Sequence, residues 1–110
     1  MTDKIVVLTA CDSQEHAEQL AHHLIETRAA ACVNILPMAK SVYRWQGEIE
    51  TAAEFILLIK SRRDAFPRLR AEIEKVHSYE VPEVIALPIV DGSGAYLAWL
   101  DQELGGESPS

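Results

Sequence analysis

The stretch that decides the fold is residues 41–60, SVYRWQGEIETAAEFILLIK. Gln46-Gly47 has the composition of a hairpin tip, so the chain is expected to return on itself in a long strand, Glu48 to Lys60. Alternate residues of that strand are apolar on both sides: Phe55, Leu57 and Ile59 on one face, Ile56 and Leu58 on the other. Each face therefore needs a layer packed against it.

Toward the N-terminus the chain predicts a strand, a helix and a second strand. The β-branched run Ile5 to Thr9 indicates a buried strand. Asp12, with Glu15 three residues later, has the spacing of a capping box, and an apolar stripe then continues to a helix end near Arg28. Residues 30–36 form the second strand, which is interrupted at Pro37 and resumes into the hairpin.

Toward the C-terminus the pattern is helix, strand, helix. Asp64 is the expected cap of the second helix, with Pro67 in its first turn. Val84 to Val90 indicates a fourth strand, and Ser93 caps a short third helix closed by a glycine. We expect one domain over residues 1–104 and a flexible tail at residues 105–110.

The predicted order, βαββαβ plus a C-terminal helix, is an α+β fold of the ferredoxin-like, split βαβ type. Strands one and three are then central and strands two and four are edges, which suits Pro37 and Pro88. The two main helices cover one sheet face only. The other face is also apolar, and either the short third helix or a second copy of the chain must cover it. We expect the copy, because one short helix covers too little of a four-stranded sheet.

Charge and cysteine content limit which partners and which cellular compartment are expected for this chain. The 110 residues include 10 basic and 17 acidic side chains, a net charge of −7, which argues against a nucleic-acid or anionic-membrane partner. Two cysteines make no disulfide framework, so a reduced cytoplasmic setting is expected. The short apolar run near the N-terminus does not fit a signal peptide.

Four segments resemble the CutA divalent-cation-tolerance family. They are AACVNI at 30–35, SVYRWQGEIE at 41–50, HSYEVPEVIALP at 77–88 and YLAWL at 96–100, within a similarity running from Lys4 to Leu104. The resemblance implies a ferredoxin-like homotrimer similar in architecture to the PII signalling proteins. It also implies a link to divalent-metal tolerance, copper in particular, without an established enzymatic reaction.

Three residues are candidate metal ligands. His77 at the end of the second helix matches a proposed copper ligand of the family, and its alternative role is a helix-terminal histidine facing the dipole. Cys11 closes the first strand and is expected to be exposed, whereas Cys32 is either a soft ligand or a small buried hydrophobe. Relatives with a metal cysteine carry it near Thr9, so this sequence departs from that pattern. The histidines His16, His22 and His23 are interpreted as solvated helix residues.

A second set of residues is expected to line a cleft or an interface, with packing inside the subunit and surface ion pairing as the alternatives. It comprises Tyr43, Trp45, Glu54, Lys60, Tyr79, Glu80 and Glu83. The function predicted is metal binding or sensing, and the alternative is a PII-like module that binds a small ligand in an intersubunit cleft. A hydrolase of the acylphosphatase type is disfavoured, since the loop Ala10 to Ser13 has no Gly or Arg for an anion.

Overall fold

A computed structural model describes residues 1–105, so the predicted tail lies outside the described residues except for Gly105. The elements are β1 (Lys4–Cys11), α1 (Gln14–Glu26), β2 (Cys32–Trp45), β3 (Glu48–Arg62), α2 (Phe66–Val76), β4 (Ile85–Pro88) and α3 (Gly94–Glu103). The four strands form one antiparallel sheet in the order β2-β3-β1-β4. The α+β class, the element order and the central position of β1 and β3 are confirmed.

The prolines lie on the edge strands, but their local effects differ from expectation. Strand β2 is continuous across Pro37, where the pairing with β3 shifts register between Leu36 and Ala39. An edge strand tolerates this bulge because one side of its backbone has no partner. Strand β4 ends at Pro88 rather than at Val90, although the Ile89 amide still donates to the Lys4 carbonyl at 3.0 Å.

The core lies between α1, α2 and one face of the sheet. Leu20 and Leu24 of α1 and Leu69 and Ile73 of α2 are almost completely buried against Val7, Leu57 and Ile59. Each such side chain contributes roughly 1.5–3 kcal/mol relative to exposure. Odd-numbered residues of β1 and β3 therefore face the helices. The even-numbered residues of β1 and β3, with their paired neighbours on β2 and β4, form what we call the open face.

Two helix caps differ from those expected. Ser13, not Asp12, caps α1: its backbone is extended and its Oγ accepts from the His16 amide at 3.1 Å. Asp64 does not cap α2, because a 3₁₀ turn at Arg63–Ala65 precedes that helix and Asp64 instead pairs with Arg62 at 3.3 Å. Ser93 caps α3 as predicted, accepting from the Tyr96 amide at 3.3 Å.

The open face is only partly covered. Helix α3 packs at the end of the sheet where β1 begins, and its Asp101 lies 3.1 Å from Lys4 Nζ and 3.5 Å from an Arg62 nitrogen. Farther along, Leu36, Ile85 and Leu87 are 44–49 % exposed. The uncovered apolar face is thus present, and its coverage by a second copy stays a prediction. No helix within residues 1–105 is long and apolar enough to cross a membrane.

Candidate ligand cleft

A cleft forms where the β2–β3 hairpin extends past the end of β1. Strand β1 pairs with Phe55–Arg62 of β3, so residues 48–54 of β3 pair only with β2. The space beside that overhang has a volume of about 780 Å³. The hairpin lines one side of it, residues 79–83 line another, and Ala10 and Asp12 close its inner end.

Six of the seven residues predicted for a cleft or interface line this space: Tyr43, Trp45, Glu54, Tyr79, Glu80 and Glu83. Tyr43 and Trp45 reach it together because alternate residues of a strand share a face. Lys60 does not line it. Six residues along β3 place Lys60 roughly 20 Å from Glu54, and its ammonium group donates to Asn34.

A short hydrogen bond in the cleft joins Glu54 and Tyr79. The Tyr79 hydroxyl donates to Glu54 Oε2 at 2.6 Å, and Glu54 is only 8 % exposed. Burial, together with the negative charge of Glu54 and Asp12, raises the pKa of Tyr79 well above its usual range. The hydroxyl therefore stays protonated and remains a donor to the carboxylate.

His77 anchors the segment that forms the second side of the cleft. Its backbone is extended, so the residue leaves α2. Its Nδ1 accepts from the Tyr79 amide at 3.0 Å, which assigns the proton to Nε2, and Nε2 donates to the Ala10 carbonyl at 2.6 Å. Both ring nitrogens are thus engaged with the backbone, and this neutral imidazole ties residues 77–79 to the end of β1.

His16 is a neighbour of His77 that the sequence reasoning missed. The two rings lie edge to face with centroids 5.6 Å apart. His16 Nε2 donates to the Val76 carbonyl at 2.9 Å, and its Nδ1 lies 3.8 Å from Asp12. The interpretation of His16 as a solvated residue is wrong, because it bridges α1 and the end of α2. The spacing within α1 holds no signal for a partner about 60 positions away.

The two cysteines lie at opposite ends of the sheet. Cys11 is fully buried beneath α1, so its expected exposure is wrong, and burial with nearby Asp12 and Glu54 raises the pKa of its thiol to about 11. Cys32 is partly exposed. Cys11 pairs with Phe55 and Cys32 with Lys60, five residues apart along β3 or roughly 17 Å.

The three candidate metal ligands are therefore not brought together in one chain. Cys11 is sealed in the core, Cys32 lies far from it, and His77 has both nitrogens engaged. Across residues 1–105, no three His, Cys, Asp or Glu side chains converge in a geometry that could hold a metal ion. Their role as ligands stays a prediction.

The fold and the cleft define a small α+β domain with an acidic, aromatic-lined cleft beside an overhanging hairpin. The family model described as CutA1 divalent ion tolerance protein matches residues 5–103. The chain belongs to that family, as the sequence motifs predicted.

Individual relatives support this assignment. The chain is 47 % identical over 100 residues to the divalent-cation tolerance protein CutA of Thermus thermophilus, covering 91 % of this chain and 97 % of that protein. It is 41 % identical over 92 residues to human protein CutA, covering 84 % of this chain but 51 % of that protein. The chain thus spans nearly all of the Thermus relative and about half of the human one.

Solved structures agree in fold. The Thermus thermophilus divalent cation tolerance protein has a TM-score of 0.86 at 47 % identity, covering 88 % of this chain and 94 % of that one. CutA from Xylella fastidiosa has a TM-score of 0.91 at 37 % identity, with 94 % and 99 % covered.

Proposed function

We propose that this chain acts in divalent-cation tolerance by binding or sensing a metal ion, with copper as the candidate, and without catalysing a reaction. The supporting observation is the charge of the cleft. Asp12, Glu54, Glu80 and Glu83 line it, and no Lys or Arg of residues 1–105 does. The negative electrostatic field of these carboxylates concentrates cations in the cleft at the end of β1. The imidazole groups of His16 and His77, a ligand type that suits copper, lie beside the cleft.

His77 is the residue through which the metal proposal is tested. Calorimetric titration with Cu²⁺ compares the parent with His77→Ala and with His22→Ala, which removes an exposed imidazole on α1. We expect His77→Ala to weaken binding by about tenfold or more, His22→Ala to bind like the parent, and affinity to fall as the imidazole protonates on acidification. Equal affinities for His77→Ala and the parent would reject His77 as a ligand.

The proposal includes a homotrimer. The exposed apolar side chains of the open face support assembly, and the family resemblance supplies the number three. Trp45, 39 % exposed on the overhanging hairpin, is the proposed anchor. Light scattering should give three chains for the parent and a more dissociable species for Trp45→Ala. A parent that is monomeric at dilute concentration would remove this part of the proposal.

Localisation in a reducing cytoplasm is also proposed, since Cys11 and Cys32 are both free thiols. Immunodetection of the native protein in fractionated cells checks it. Recovery of the protein outside the cytoplasmic fraction would contradict it.

The second candidate function is a PII-like module that binds a small ligand and signals to a protein. The observation that favours it is the size of the cleft, about 780 Å³, which is within the range of small-molecule sites, together with its aromatic walls. A thermal-shift screen of cationic, neutral and anionic metabolites tests it. No stabilisation by any member of the screen would refute this candidate and leave the metal proposal standing.

A further inference from the structure

The charge of the cleft is not balanced within the chain. Glu54 is over nine-tenths buried, yet its one hydrogen bond comes from the neutral Tyr79 hydroxyl to Oε2. No hydrogen bond or ion pair from residues 1–105 reaches its Oε1. Glu54 lines the cleft, and Oε1 is not among the buried side-chain atoms that lack a partner, so this oxygen is open to the cleft. Glu54 therefore presents one accessible acceptor oxygen to a ligand there.

The other charges of the cleft are spread along it rather than gathered at one point. Asp12 lies at the inner end, and Glu80 and Glu83 lie on the segment opposite the hairpin. Because these carboxylates are distributed along the cleft, the cleft offers several separate positions that attract positive charge. It suits a ligand that carries several positive charges at a distance from one another.

The aromatic walls of the cleft indicate the shape of this multiply charged ligand. Tyr43 and Trp45 line the cleft from β2, on the same face of the hairpin as Glu54. The register pairs Tyr43 with Glu50, which places Tyr43 roughly 13 Å farther along the hairpin than Glu54. Aromatic faces attract organic ammonium groups, and apolar walls accept the methylene groups between them.

We infer that the cleft binds a linear aliphatic polyammonium ion. One terminal ammonium donates to Glu54 Oε1, the methylene stem follows the hairpin, and the far ammonium lies against the Tyr43 ring. Glu80 and Glu83 on the opposite wall complete the charge balance. The inference rests on the second candidate function, the small-ligand module, and names the chemical class of its ligand.

The test is calorimetric titration of the assembled full-length protein with spermidine. The neutral control is 1,8-octanediol, which has the same number of heavy atoms as spermidine. MgCl₂ is the control for non-specific electrostatic attraction of cations to the acidic cleft. We expect saturable spermidine binding that exceeds both controls by about tenfold or more. No binding of spermidine, or octanediol binding of equal affinity, would overturn the inference.

Two matched variants locate the site. Glu54→Gln keeps the shape of the side chain and removes its charge, and Glu26→Gln makes the same charge change at an exposed position on α1, outside the cleft. We expect about tenfold weaker spermidine binding for Glu54→Gln and less than about twofold for Glu26→Gln. Equal losses in the two would place the polyamine elsewhere and overturn the inference.

Tyr43→Leu is a further test in case Glu54→Gln does not fold, because Tyr43 is 45 % exposed and its substitution should leave the fold intact. It should weaken spermidine binding by about threefold, the size of an exposed cation–π contact, and unchanged affinity would refute the aromatic part of the site. The metabolite screen tests the small-ligand module separately from the polyammonium inference that rests on it. A neutral or anionic ligand found there would refute the polyammonium class and leave the small-ligand module intact.

Discussion

Removing the Tyr79 hydroxyl should destabilise the fold measurably. That hydroxyl donates to Glu54 Oε2 at 2.6 Å, and the carboxylate is 8 % exposed with no other donor from the described part of the chain. A hydrogen bond to a charged group contributes about 1.5–3 kcal/mol. We therefore expect Tyr79→Phe to lower the free energy of unfolding by about 2 kcal/mol. Urea denaturation at one fixed protein concentration measures it, since assembly makes stability depend on concentration.

Two controls isolate the contact. Tyr43→Phe removes a hydroxyl that makes no hydrogen bond within residues 1–105 and should change stability by less than about 0.5 kcal/mol. In a Glu54→Ala background, Tyr79→Phe should cost little, because the acceptor is already absent. The reasoning fails if Tyr79→Phe matches Tyr43→Phe, or if its cost is unchanged when Glu54 is alanine.

Three further outcomes follow from the cysteines and the first helix cap. In the native protein at pH 8, iodoacetamide should alkylate Cys32 and spare the buried Cys11, with equal labelling after unfolding, as mass spectrometry can read. Because the pKa of Cys11 is raised from 9.0 to about 11, the unfolded state loses this proton first. Stability should therefore decline as pH rises from about 9 to 11, and less so in Cys11→Ala. Ser13→Ala should cost about 1 kcal/mol in urea denaturation, whereas Asp12→Ala should cost less, since Ser13 alone caps α1.

The element order was predictable because its signals are local. Residue alternation along the hairpin placed Tyr43 and Trp45 on one side, and the edge position of Pro37 and Pro88 followed from their missing amide hydrogens. These inferences need only the period of a strand and the chemistry of proline.

The caps and buried groups depend on information that the sequence does not carry locally. Asp12 and Ser13 are both good caps, and only the extended backbone of Ser13 decides between them. Cys11 lies on the same face of β1 as the core residues Ile5 and Val7. Because β1 is apolar on both faces, the sequence pattern could not tell which face the helices cover. The proximity of His16 to His77 arises only when α1 and α2 pack together.

The position of His77 couples the two candidate functions. Its Nδ1 accepts the Tyr79 amide and its Nε2 donates to the Ala10 carbonyl, so the same ring holds the 79–83 wall of the cleft against β1. His77 cannot offer Nδ1 to a metal ion and keep the Tyr79 amide at the same time, since one lone pair serves both. Metal capture at Nδ1 would free Tyr79, whose hydroxyl positions Glu54. A cation at His77 and a ligand in the cleft would then oppose each other, and by linkage each would weaken the other by the same factor.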